Sequence, residues 1–222
     1  LFWIATNNGL LKASKEQKKI QTIQLNTPDP KTISDIFEDH IGQMWFSDKQ
    51  QFIYRKDKNS KIKTFPISGI PYRLTVYSNH LYVATDVGIY RKDVNDNDAF
   101  ERIIFANNYK AKLAKVWDSK IWVLPDSGPI LVYDLFSFKE LDNYLKNDSS
   151  FFSLNLFNDM VTKTDKMWLA SWMPQDFGIS YFDKNTQSFK QITKIKGNHD
   201  KFVADYYNRA AFLNNGNVII SA

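Results

Sequence analysis

The chain's 222 residues are 43% apolar and 15% aromatic with no cysteine, which supports a sizeable core and excludes disordered and collagen-like classes, disulfide scaffolds and thiolate catalysis. The formal charge of +5 is carried mostly by Lys, with Arg only at positions 55, 73, 91, 102 and 209, so it reads as a solubilising surface and not as a nucleic-acid track. No apolar run reaches the length of a membrane span, no stretch has the form of a signal peptide, and the missing cysteines fit a reducing cytosol and a disulfide-free periplasm alike.

The chain opens in mid-pattern on Leu1-Phe2-Trp3-Ile4, as a segment of a longer protein would. Its first predicted strand, Trp3-Ile4-Ala5-Thr6, is large, apolar, small, then small or polar. Asn7-Asn8-Gly9 turns the chain, Leu10 starts a second apolar stretch, and 20–25 alternates like a half-exposed strand before Pro28 and Pro30 break it. Four strands are predicted over 33–67: one from Ile33, a second at Met44-Trp45-Phe46-Ser47, a third from Phe52 and a fourth from Lys61. The same order returns over 72–105, over 113–144 with a tight Asp118-Ser119 hairpin, and over 153–193 with a long interruption at 172–177. A last partial unit occupies 203–222. Helical signal is thin, with a turn or two predicted at 109–115 and at 139–146.

The opening strand is the period marker. Trp3, Trp45, Tyr82, Trp122, Trp168 and Ile219 each start a copy, at intervals of roughly 40 residues, the length of a four-stranded propeller blade. At a fixed step past the anchors stand Gly9, Gln51, Gly88, Gly128 and Pro174, where Gly gives the turn between second and third strands a positive φ at no steric cost. A second strand covered on both faces should read as a continuous apolar run. The aromatic then fills the gap between blades, and Ala5, Ser47, Ala84 and Ala170 leave room for a neighbour. The predicted fold class is therefore all-β, a propeller segment of about five four-stranded blades. Part of a larger, seven-bladed ring explains the two ends more simply than closure of five blades.

Trp3-Ile4-Ala5-Thr6-Asn7-Asn8-Gly9-Leu10 resembles the repeat of the two-component regulator propellers, and Tyr82-Val83-Ala84-Thr85-Asp86-Val87-Gly88-Ile89 is a second good copy. The segment 33–47 is similar to that family's Glu-Asp-x-x-Gly lead-in to the Trp strand, here Glu38-Asp39-His40-Ile41-Gly42. The resemblance covers essentially the whole chain and loosens in the later units at Pro125, Pro174 and Ile219. It implies the periplasmic sensor region of a hybrid two-component histidine kinase of Bacteroidetes type. Such a region detects oligosaccharides from glycan breakdown. The implied partners are the remaining sensor blades and C-terminal signalling domains of the parent, with a homodimer left open. The kinase would lie outside this chain, which is then not an enzyme, binds no nucleic acid and needs no cofactor. A propeller glycoside hydrolase or lyase and a protein–protein scaffold are the alternatives.

Ligands of propellers usually sit on the rim made by the turns from second to third and from fourth to first strand. That rim directs attention to Tyr72, Arg73, Asp86, Asp126, Trp172, Asp176, His199 and Arg209. Tyr72 and Trp172 offer flat faces for sugar rings, the carboxylates accept hydroxyl hydrogen bonds, and Arg73 and Arg209 suit a carboxylate or sulfate. The interruption containing Trp172 and Asp176 is the foremost candidate because long loops carry function. The competing reading makes each Asp a turn former and Trp172 blade packing. Asp93 to Asp98 lacks the Gly and Glu of an EF-hand and reads as a hairpin tip. His40, His80 and His199 are too scattered for a metal site, and Glu38-Asp39 reads as a turn and not as a catalytic pair.

Overall fold

The computed structural model describes residues 2–6, 9–14, 19–23, 25, 32–106, 108–143, 157–171, 179–192, 209–212 and 218–221. All regular structure among them is β. Strands β1 (Phe2–Thr6), β2 (Gly9–Ser14) and β3 (Lys19–Ile23) form a three-stranded sheet. Four-stranded antiparallel sheets follow. The first holds β4 (Ile33–Glu38), β5 (Met44–Asp48), β6 (Phe52–Lys56) and β7 (Ile62–Pro66); the second holds β8 (Pro71–Tyr77), β9 (His80–Thr85), β10 (Gly88–Asp93) and β11 (Glu101–Phe105). The third holds β12 (Ala111–Trp117), β13 (Lys120–Pro125), β14 (Leu131–Asp134) and β15 (Glu140–Asn143); the fourth holds β16 (Phe157–Lys163), β17 (Lys166–Ser171), β18 (Ile179–Asp183) and β19 (Ser188–Ile192). A hairpin of β20 (Arg209–Phe212) and β21 (Val218–Ser221) comes last. The architecture is that of β-propeller blades, as the repeat predicts. Among the described residues the two short helical turns are not formed: 111–117 is strand β12 and 140–143 is strand β15, each pulled into a sheet by its neighbours' hydrogen bonds against a weak local preference, while 144–146 lie outside the described residues.

The chain divides into two compact units, 1–116 with 135–138 and 117–134 with 139–222. Within the first, β5 shows why its sequence is apolar without alternation. Trp45 packs among Ile53, Phe65, Leu74, Leu81, Val83 and Tyr90, toward the following sheet, whereas Phe46 packs with Leu10, Ile33 and Tyr54, toward the preceding one. Every residue of β5 is buried, so both faces of the strand belong to the core. Ser47 and Ala84 are fully buried in their strands, as close packing beside the large rings requires. Ala5 departs from that expectation: it and Ile4 are exposed in β1. In the second unit Trp122 lies against Phe182 at 4.9 Å and Trp117 at 5.8 Å. Trp168 is only half-buried and leans on Tyr181.

The recurring Thr and Gly of the repeat form one device. The Thr6 hydroxyl donates to the carbonyl of Gly9, and the Thr85 hydroxyl to that of Gly88, each at 2.8 Å. The glycines take φ of +115° and +138°, and a Cβ at Gly88 would overlap the Ile104 carbonyl of β11. In the second copy Asp48 replaces Thr: its carboxylate accepts from the Gln50 and Phe52 amides and from the Tyr54 hydroxyl. Gln51 then stands at φ +85° where its counterparts are glycine. Asp39, 5% exposed, accepts from the Ile41 and Gln43 amides and from the Trp45 indole at 2.8 Å, tying the β4–β5 hairpin to the ring it introduces. That is the turn role expected for this carboxylate. The β12–β13 hairpin has both Asp118 and Ser119 at positive φ, 54° and 56°, the twist that matches paired strands.

Candidate functional site

In the first unit, the connection 67–70 brings the chain from β7 into β8, which presents Tyr72 and Arg73. Asp86, in the β9–β10 turn, receives the Ile70 amide on Oδ1 at 2.6 Å and returns its own amide to the Ile70 carbonyl. Gly69 at φ +84° passes so close that a Cβ would overlap the Asp86 carboxylate. Asp86 thus fixes the entry to β8 and holds Tyr72 and Arg73 at the same end of the sheet. Tyr72 is half-buried.

Arg73 meets a residue that the sequence reading passed over. Its guanidinium lies 3.8 Å from the Asp35 carboxylate of β4, with the two side chains 15% and 18% exposed. Asp35 also accepts the Leu74 amide at 2.8 Å. Burial pushes the Asp35 carboxyl above its ordinary value, against the opposing pull of the Leu74 amide, Arg73, the Ile36 amide and Lys115. The contact with Arg73 is a loose one, well short of the two parallel bonds a guanidinium makes with a matched oxyanion. A partly exposed guanidinium in that state can accept a carboxylate or sulfate from solution.

Register gives Asp35 and Arg73 the same structural address. Asp35 pairs with Ser47 and Arg73 with Ala84, each just past a bulge in its first strand and opposite the residue two beyond an anchor aromatic. In the second unit Asp159, past a bulge, pairs with Ala170, and Arg209 pairs with Ser221, two residues beyond the Ile219 anchor. Asp159 accepts the Ala210 amide at 3.1 Å, just as Asp35 accepts that of Leu74. An inner-strand Asp receiving the amide after the next inner-strand Arg therefore occurs in both units. Counting back from each anchor to its first strand finds this row; following the anchors alone does not.

Asp126, in the second unit, lies half-buried in the β13–β14 turn with the Ser127 hydroxyl 3.5 Å from its carboxylate. Trp172, Asp176 and His199 fall outside the described residues, and Arg209 is described in its backbone only, at the head of β20. Among the described residues no cluster of three or more His, Asp or Glu is placed to hold a metal ion, and no helix is long and apolar enough to cross a membrane.

No sequence family matches the chain, and no curated protein does. Solved structures do. The chain superposes on the extracellular domain of a protein described as a hybrid two component system of B. thetaiotaomicron, with a TM-score of 0.74 and 16% identity, over 99% of this chain and 30% of that one. The extracellular domain of a protein described as a one component system of the same organism gives 0.64 and 13%, over 98% and 38%. The Dos1 propeller gives 0.67 and 15%, over 96% and 59%. The chain spans less than two thirds of each. At such identities the likeness establishes the propeller fold.

Proposed function

We propose that the chain is the ligand-sensing propeller of a two-component receptor. In this reading it lies on the periplasmic side, recognises oligosaccharides from glycan breakdown, and relays a change of packing to signalling domains outside the chain. The observation that carries the reading is the superposition over 99% of this chain on the extracellular domain of a hybrid two component system. The Trp-Ile-Ala-Thr-x-x-Gly repeat supports it independently. Fold alone assigns no function, so the site has to carry the ligand. Arg73, loosely held beside Asp35, supplies a contact for an acidic sugar and Tyr72 an adjacent ring face; Trp172 and Asp176 are further proposed contacts that lie outside the described residues. The chain itself is not an enzyme in this reading, because recognition needs no paired acid and base. Remaining blades of a larger ring and the parent's signalling domains are its proposed partners.

Calorimetry of the complete sensor region against neutral and acidic glycan oligosaccharides tests this. Saturable binding without product formation is expected, weakened about tenfold by Arg73→Gln, the loss of one charge-assisted contact. Trp172→Ala should weaken it as well. Silence across the panel, or turnover abolished by Asp126→Asn, overturns the reading.

A further inference from the structure

A cavity of about 450 Å³ opens in the first unit beside β6 and β7, lined by Arg55, Asp57, Lys61, Ile62, Lys63 and Asn97. It lies at the turns from third to fourth strand, on the rim away from Tyr72 and Asp86. Its charges are unbalanced: three cations face one carboxylate. Register makes the imbalance costly, because Arg55 and Lys63 are direct cross-strand partners, and like charges directly opposite each other destabilise a sheet.

The surrounding groups satisfy these cations only in part. The Arg55 guanidinium donates to the Asp96 carbonyl at 3.1 Å and to Asn97 Oδ1 at 2.7 Å, two bonds from a group that has five donors. Lys63 donates once, to the Asn97 carbonyl. The Lys61 ammonium has no hydrogen bond or ion pair among the described residues, and its backbone amide is what engages Asp57. The nearby carboxylate of Asp96 is taken by Lys92. Arg55 is held in place from beneath, its carbon centre 5.5 Å above the Trp45 ring and 5.7 Å from Phe65. A fixed guanidinium, two ammonium groups and an amide side chain converge on a space large enough for a small organic molecule.

We infer that this cavity is a second ligand site, one that takes a small molecule bearing an oxyanion, a carboxylate, sulfate or phosphate. Arg55 supplies the oriented, two-pronged contact and Lys61 and Lys63 the charge. The anion relieves the repulsion between Arg55 and Lys63, so binding also stabilises the β6–β7 pair.

The test uses inorganic sulfate, inorganic phosphate and malonate as probes of the whole chain, with sodium chloride at matched ionic strength as the reference. Saturable heat on titration, with a rise in melting temperature beyond that of chloride, is expected for at least one probe. Which probe responds separates sulfo, phospho and carboxylate ligands. Lys63→Gln and Lys61→Gln, both on partly or fully exposed side chains, should each weaken the binding about tenfold. Lys63→Gln should also be at least as stable as the native chain in low-salt buffer, because it removes the like-charge pair. A response that matches chloride, or that persists unchanged in both variants, overturns the site.

Discussion

Asp35 illustrates how one side chain carries both a structural and a titrating role. It staples β8 through the Leu74 amide and faces Arg73, yet burial dominates and raises its carboxyl above the ordinary value. A raised folded-state value means that the protonated carboxyl suits the fold better. Its contribution is complete below the unfolded value near 3.8 and is lost as pH rises through the higher folded one. Asp35→Asn keeps an oxygen for the Leu74 amide and removes the buried charge. The variant should unfold at the same or higher urea concentration than the native chain at pH 7, with the difference vanishing toward pH 3. A native chain that is clearly the more stable at pH 7 would show that Arg73 outweighs burial. Arg73 was legible in the sequence as an Arg at the end of a turn. Its partner was not, because an Asp in a first strand looks like any half-exposed polar residue until the neighbouring blade is laid beside it.

The strands were legible because their chemistry is local. The apolar run of β5 and the Gly turns at 9, 88 and 128, all at positive φ, follow from what two covered faces and a tight turn demand. Where the described residues cover them, the predicted helical turns at 109–115 and 139–146 gave way to strands for the opposite reason. The repeat places a first strand just before the Asp118-Ser119 hairpin, and where that strand overlaps the weak helical signal of 109–115 the sheet decides for β12. Gln51 gives this scale its prediction. It is exposed, sits at φ +85°, and its backbone carbonyl, not its side chain, accepts the Ile67 amide at 2.9 Å. A left-handed conformation costs a non-glycine residue about 1–2 kcal/mol, offset in part by the entropy that Gly loses on folding. Gln51→Gly should therefore stabilise the chain by about 0.5–1 kcal/mol, read as a shift in urea midpoint at unchanged slope.

Across the molecule, stability should follow burial strand by strand. In β9 and β13 every residue after the first is buried, as is every residue of β5. Outer strands such as β7 and β11 keep exposed positions at Thr64, Pro66, Glu101 and Phe105. Amide exchange in native buffer should be slowest in β5, β9 and β13 and faster by orders of magnitude in β7 and β11, since edge hydrogen bonds open without breaking the core. Equal protection in inner and outer strands would mean that the sheets open only all at once. The repeat locates these layers from sequence, whereas the cavity beside Arg55 depends on which residue of β6 stands opposite which residue of β7, a pairing that the period leaves open.

The stack of Arg55 on Trp45 has an optical side. Trp45 is fully buried and hydrogen-bonded to Asp39, so its indole emits from a fixed, water-free surrounding. Among the described residues the charge above its ring belongs to Arg55, which also forms the wall of the cavity. A guanidinium that tilts toward an arriving anion changes the field on that ring, and the emission of Trp45 changes with it. Trp45 is thus a built-in reporter for the rim opposite Tyr72 and Arg73, and its share of the emission of the six tryptophans is what Arg55→Lys should alter.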